Sequence, residues 1–344
     1  MASKKRKIEE VEDADESPPK KKTLKVDDHK SMEANGVAHV EIDEGLYSRQ
    51  LYVLGHDAMR QMATCNVLIS GVGGLGVEVA KNVILSGVRS VTLHDQDVCA
   101  YSDLSSQFYL AESDIGKNRA QACARKLAEL NDYVQTSFYD GPLTIEYLKK
   151  FQVVVLTCST QEEQLRVSDL AHASGIALIV ADTKGLFGQI FCDFGENFKV
   201  VDQTGENPVS AMIASISQDT EGIVTCIDDS RHGLEDGDYV TFSEVQGMEE
   251  LNGCPPRKIK VLGPYTLSIG DTTKYSKYIR GGVISQVKMP KILNFLPMRK
   301  SLLSPEYLIT DFAKMDNLAT THLAFATLHH YKAKKQCLPK PWNE

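Results

Sequence analysis

Three glycines carry the first chemistry that this sequence offers. Gly71, Gly73 and Gly76 follow the apolar run Val67-Leu68-Ile69 and precede a helical pattern of Leu75, Val79, Ala80, Val83 and Ile84. That is G-x-G-x-x-G at a strand-to-helix junction. There the first glycine permits a tight turn, the second lets a phosphate approach the backbone, and the third packs helix on strand. The free N–H groups and partial positive charge of the helix start favour an anion. A second strand, Ser90–His94, ends at Asp95, about 20 residues past the glycines, where a carboxylate can meet a ribose hydroxyl. Two readings of the loop stay open: a nucleotide site, or a glycine turn kept for packing alone.

The elements that must position these residues alternate. A short helix is expected at Asp57 to Met62, before the first strand. Asp114 to Leu130 reads as a helix, Phe151 to Leu156 as a buried strand, Glu162 to Ala173 as a helix and Ile176 to Val180 as a strand. Gly185 to Phe194 reads as a further strand or hairpin. Strands alternating with helices predict a Rossmann-like, doubly wound parallel sheet. Near Gly195 the composition turns β-branched and turn-rich. Short strands are expected at Gly222 to Ile227, Tyr239 to Phe242, Lys258 to Val261 and Tyr265 to Ile269, separated by turns such as Asp236-Gly237 and Asn252-Gly253. This is a small all-β module at 195–288, inserted into the α/β chain. Beyond it Ser304-Pro305 reads as a helix start, and Ala319 to Lys335 as a second helix. His322, His329 and His330 lie there without a second ligand cluster, so no metal site is expected. Two helices are too few to close a bundle, and the segment 289–344 is expected to be truncated.

Composition narrows the function classes. With 344 residues and 42% apolar content the chain can bury more than one core. Its net charge of -8 argues against a general nucleic-acid binder, and no apolar run is long enough to span a bilayer. Eight scattered cysteines without a C-x-x-C pair suit reduced intracellular thiols. Residues 1–43 are too polar to offset their ordering entropy and read as disordered. Their basic clusters, Lys4-Lys5-Arg6-Lys7 and Lys20-Lys21-Lys22, read as a two-part nuclear import signal, with residence in nucleus and cytoplasm.

Longer runs carry a family resemblance. Tyr47-Ser48-Arg49-Gln50-Leu51-Tyr52-Val53-Leu54-Gly55, the glycine motif, Asp103-Leu104-Ser105-Ser106-Gln107-Phe108-Tyr109, Ala181 to Gly188 and Phe242 to Met248 together resemble the N-terminal half of the ubiquitin-activating enzymes. The resemblance implies a sheet of the ThiF/MoeB adenylation type at 44–194, called inactive, an inserted first catalytic-cysteine half-domain at 195–288, and the start of a four-helix bundle. The family's active adenylation domain, thioester cysteine domain and ubiquitin-fold domain have no counterpart in these residues. In the whole enzyme ATP and Mg2+ serve mainly that active domain, and ubiquitin and ubiquitin-conjugating enzymes are the partners; no cofactor is assigned to this chain itself.

The resemblance also explains the "inactive" label. Where active members have Ser-Asn-Leu-Asn-Arg-Gln-Phe, this chain has Ser102-Asp103-Leu104-Ser105-Ser106-Gln107-Phe108, with a serine replacing the phosphate-neutralising arginine. Where active members place an Asp-Asn pair for magnesium, it has Thr157-Cys158. Lost metal and phosphate partners each remove a large electrostatic contribution. Asp95, Asp97 and Lys117 survive with Gly71, Gly73 and Gly76 as a remnant site. Arg49 matches an arginine that crosses to the active domain's ATP, a planar charged fork suited to phosphate. Two other functions stay open: a free-standing partner subunit for a ubiquitin-like modifier, and a nucleotide-dependent oxidoreductase.

Overall fold

The structure, a computed structural model, describes residues 42–227 and 231–340. The basic clusters of the first 41 residues lie outside them. The described chain forms two compact units, one running to Gly195 and resuming at Phe295, the other Glu196–Asn294.

The first unit opens with α1, Glu44–Thr64, which is broken at Gly55 where the backbone leaves helical geometry. Asp43 caps it, accepting from the Leu46 N–H at 3.0 Å. The sequence pattern had suggested only the second half of this helix. β1 (Asn66–Ser70), α2 (Gly74–Leu85) and β2 (Ser90–His94) form the first βαβ unit. Next come α3 (Arg119–Ala128), β3 (Gln135–Tyr139), α4 (Ile145–Leu148), β4 (Val153–Thr157), α5 (Gln161–Ser174), β5 (Ala177–Lys184) and β6 (Phe187–Asp193). Strand order is β3-β2-β1-β4-β5-β6. The first five strands run parallel, and β6 returns antiparallel through a hairpin, with Lys184 paired to Phe187.

Core residues sort by strand parity. Val67 and Ile69 pack with Val77, Ile84 and Leu127 on one face, while Leu68 packs with Leu148, Leu156 and Val167 on the other. The order reverses between β1 and β4, the place where open α/β sheets bind ligands at their carboxyl ends.

The expected helix Asp114–Leu130 is shorter. Gly116 sits at φ 83°, and Asn118 caps the helix, accepting from the Gln121 N–H at 3.0 Å, so α3 starts at Arg119.

In the second unit β7 (Phe198–Val200), β8 (Ser210–Ile216), β9 (Ile223–Cys226), β10 (Tyr239–Ser243), β11 (Arg257–Lys258), β12 (Lys260–Gly263), β13 (Thr266–Ser268), β14 (Val283–Val287) and β15 (Lys291–Leu293) follow in order. Seven form an antiparallel sheet, β11-β10-β14-β8-β9-β13-β12, over a core that includes Val224, Phe242, Met248, Leu251 and Ile284.

The chain returns to the first unit with α6, Met298–Leu303, whose Met298 enters the core of the second sheet face. The helix expected to start at Ser304-Pro305 does not form. A proline disfavours the helical conformation of the residue before it; Ser304 instead ends α6 with φ -140° and ψ 70°. Asp311 instead caps a short 3-10 turn, Phe312–Lys314, accepting from the Ala313 N–H at 3.0 Å, and α7, Met315–Lys335, follows from it. No helix among the described residues is long and apolar enough to cross a membrane.

Candidate functional site

A cleft of about 240 Å³ opens at the carboxyl ends of β1, β2 and β4. The glycine loop forms one side of it. Gly71 has φ 89°, and a Cβ there would lie 2.0 Å from the Thr157 carbonyl oxygen. A Cβ on Gly76 would lie 1.8 Å from the Gly71 carbonyl oxygen. Both glycines are therefore demanded by the chain's own backbone. Gly73 is different: an added Cβ would meet only the Cys158 Sγ, at 3.3 Å. Thr157 completes the packing, its hydroxyl donating to the Gly71 carbonyl at 2.5 Å. Ser106 lies against the start of α2, where a Cβ on Gly74 would come within 2.9 Å of its own Cβ.

Asp95 is buried at the end of β2 and turned inward. Its carboxylate accepts from the Val72 N–H at 2.8 Å and the Asp97 N–H at 3.0 Å. Arg119, the first residue of α3, then closes on it with Nε at 3.0 Å and Nη2 at 3.1 Å. The same guanidinium reaches Asp97 at 2.8 Å and Asp103 at 3.2 Å. Burial opposes this charge, but the three carboxylates outweigh it and hold the group above its ordinary pKa. Lys117 stands outside the cleft. It is largely exposed and donates to Asp114 at 3.0 Å.

Beneath the cleft His94 is pinned at both ring nitrogens. Nε2 donates to the Gly141 carbonyl at 2.9 Å, so Nδ1 accepts from the Ser70 hydroxyl at 2.8 Å. Burial lowers its pKa, against the opposing hydrogen bond to Gly141, and the ring is a neutral spacer.

The chemistry of this arrangement is self-contained. Asp95, Asp97 and Glu163 line the cleft beside Arg119 and Lys332. The arginine that could neutralise a phosphate is already shared among three carboxylates, and Thr157 offers no metal-binding carboxylate. The residues present do not fit a magnesium triphosphate. Among the described residues no cluster of three His, Cys, Asp or Glu side chains could hold a metal ion.

Arg49 lies elsewhere. Tyr47 and Gln50 anchor α1 on one side: the Tyr47 hydroxyl accepts from Asn131 Nδ2 at 2.9 Å, and Gln50 Nε2 donates to the Ser86 carbonyl at 2.8 Å. That spacing turns Ser48 and Arg49 outward, both exposed, with Tyr52 and Val53 exposed one turn on. Arg49 makes no ion pair among the described residues. The structure thus gathers Gly71, Gly73, Gly76, Asp95 and Asp97 at one place and leaves Lys117 and Arg49 outside it. Sequence reasoning missed Arg119, although it stands two residues beyond Lys117 in the same Gly116-Lys117-Asn118-Arg119 run.

The model of the ThiF family matches residues 47–230, and the chain belongs to that family. Two further models follow in order, the ubiquitin-activating enzyme E1 FCCH domain at 219–288 and the ubiquitin-activating enzyme E1 four-helix bundle at 289–344. Within the family the chain falls in the ubiquitin-activating enzyme branch. Ubiquitin-like modifier-activating enzyme 1 of Rattus norvegicus is 56% identical over 318 residues, 91% of this chain and 30% of that protein. The Homo sapiens protein of the same name gives the same figures. Ubiquitin-activating enzyme E1 1 of Candida albicans is 51% identical over 315 residues, 91% of this chain and 31% of that protein. The chain thus spans about a third of the length of these relatives.

Proposed function

We propose that this chain serves as the non-adenylating partner part of a ubiquitin-activating enzyme. The observation that carries the reading is Arg119, which spends its charge on Asp95, Asp97 and Asp103 at the place where an active site needs free cationic groups. In this reading a second, active adenylation domain binds ATP and Mg2+ and adenylates the ubiquitin C-terminus. Ubiquitin then passes to a cysteine as thioester and on to ubiquitin-conjugating enzymes. This chain contributes a docking partner for the active domain, part of the ubiquitin-binding scaffold, and Arg49. The exposed guanidinium on α1 reaches across and stabilises phosphate charge there, while Gly71, Gly73, Gly76, Asp95 and Asp97 persist as a remnant without Lys117.

ATP–pyrophosphate exchange in the presence of ubiquitin tests this. Residues 1–344 alone should give none, and exchange should appear only when the active adenylation domain is supplied. Robust exchange from this chain alone would sink the proposal. We further propose that the clusters at Lys4–Lys7 and Lys20–Lys22 direct nuclear import. Residues 1–30 fused to a reporter too large to diffuse through the pore should carry it into the nucleus, and cytoplasmic retention would refute this.

A further inference from the structure

The turn Asn252-Gly253 has a chemistry of its own. In an Asn-Gly pair the glycine nitrogen can attack the asparagine amide, because no side chain shields it. The pair lies in the loop between β10 and β11 of the second unit. That loop passes through Glu244 and Gly247, at φ 60° and 96°, and then a 3-10 turn, Glu249–Leu251.

The Asn252 side chain latches the loop shut. Its Oδ1 accepts from the Val245 N–H at 3.0 Å, and its Nδ2 donates to the Val245 carbonyl at 2.8 Å. An amide can do both, whereas an ionised carboxylate has no proton to donate. Between these two residues the loop sends Met248 and Leu251 into the core of the second unit, both fully buried.

The same latch restrains the reaction. The extended backbone of Asn252, φ -66° and ψ 117°, sets the Gly253 nitrogen on the side away from the Asn252 side chain. Its Cγ is held towards Val245 instead, so ring closure requires both hydrogen bonds to break. Little else guards the turn. Asn252 and Gly253 are exposed, nothing lies within 4 Å of a Cβ placed on Gly253, and the Gly253 N–H meets the Phe242 carbonyl only at 3.4 Å.

We propose that Asn252 is a deamidation site gated by its own latch, and that conversion releases the loop for good. The Gly253 nitrogen bonds to Cγ, the Cγ–Nδ2 bond breaks, and ammonia leaves with the proton that the glycine nitrogen gives up. Water then opens the cyclic imide at either carbonyl, leaving aspartate or isoaspartate. Aspartate turns an acceptor towards the Val245 carbonyl where a donor stood, and isoaspartate lengthens the main chain by one carbon. Neither restores the pair of hydrogen bonds, so the step runs one way. The site does not rest on the function proposed above.

The test incubates the 344-residue chain in mildly alkaline buffer, either folded or unfolded in urea. Peptide mapping follows the amide-to-acid mass change and separates Asn252 from the other Asn-Gly pair, Asn35-Gly36. Asn252 should convert at least about tenfold more slowly in the folded chain, where reaction waits for the latch to open, and isoaspartate should be among the products. Hydrogen exchange at the amides from Met248 to Asn252 should speed up in the converted chain and in Asn252→Asp, while the β1 and β2 amides stay unmoved. Equal rates in folded and unfolded chain, an amide that persists in urea, a product without isoaspartate, or unchanged exchange after conversion would each overturn the proposal.

Discussion

Removing Arg119 should destabilise the sheet where it is most buried. Arg119→Ala strands the Asp95 side chain, only 5% exposed, with two backbone donors left: the N–H groups of Val72 and Asp97. Asp103, 16% exposed, loses its cation as well. Taking one partner from a buried ion pair costs about 3–5 kcal/mol. The two retained donors and the solvent at Asp97, 77% exposed, favour the lower end, about 3 kcal/mol. Native-state hydrogen exchange at the β1 and β2 amides measures this locally, which a two-unit chain requires. Arg119→Lys keeps the charge but cannot fork onto three carboxylates, and should fall between wild type and alanine. Adding Asp95→Asn to Arg119→Ala removes the stranded charge and should recover about 1–2 kcal/mol. Unchanged protection in Arg119→Ala, or a double variant no better than the single, would refute the idea that Arg119 is the internal counterion of this site.

Three further outcomes follow from particular contacts. Gly76→Ala forces backbone against backbone and should cost about 3 kcal/mol or more, while Gly73→Ala meets only a thiol and should cost under about 1 kcal/mol; equal melting temperatures would contradict the packing account. Arg49→Ala should leave thermal unfolding within about 0.5 kcal/mol of wild type, as for an exposed side chain, yet slow adenylation in a reconstituted complete enzyme, and an unchanged rate would return Arg49 to a surface role. In the second unit Asp202 is held down to about 2 by the Lys288 ammonium 2.7 Å away and by the Gly205 and Thr204 N–H groups. A depressed carboxylate contributes stability that is present above its unfolded value near ~3.9 and is lost as pH falls through the folded one. Carboxyl 13C titration should therefore place the Asp202 midpoint near 2, and Lys288→Met should raise it only part of the way, because the Gly205 and Thr204 N–H groups remain; a wild-type midpoint in the usual range would remove the interaction.

How far the sequence spoke depended on where each element sits. β1 and β4 are central and covered on both faces, so their burial writes a continuous apolar run, Val67 to Ile69 and Val153 to Leu156. β3 lies at the edge of the same sheet as Gln135-Thr-Ser-Phe-Tyr139, with Phe138 exposed, and no pattern announces it. β8 is similar: its small residues Ser210, Ala211, Ala214 and Ser215 mask the alternation. Pro305 looked like a helix start because the same dipeptide that opens one helix can close another, and only the core position of Met298 decides which.

The glycine motif shows the deeper limit. Its spacing encodes a backbone path, and that path is here: Gly71 and Gly76 are fixed by contacts of 2.0 and 1.8 Å to carbonyl oxygens of the chain itself. Ligand choice depends on side chains that arrive from far along the chain, Arg119 on α3, Thr157 on β4 and Lys332 on α7. A guanidinium free to meet phosphate and one neutralised by three aspartates are the same letter in the sequence. The carboxylates at 95, 97 and 103, which follow the glycines in sequence, were the available signal that an internal cation had to exist. Lys117 and Arg119 both follow that segment closely in sequence, and the cap at Asn118 sets the start of α3 so that Arg119, and not Lys117, meets the acids. A fingerprint of this kind therefore identifies the fold that carries a site, and the pairing of its charges decides whether the site is still open.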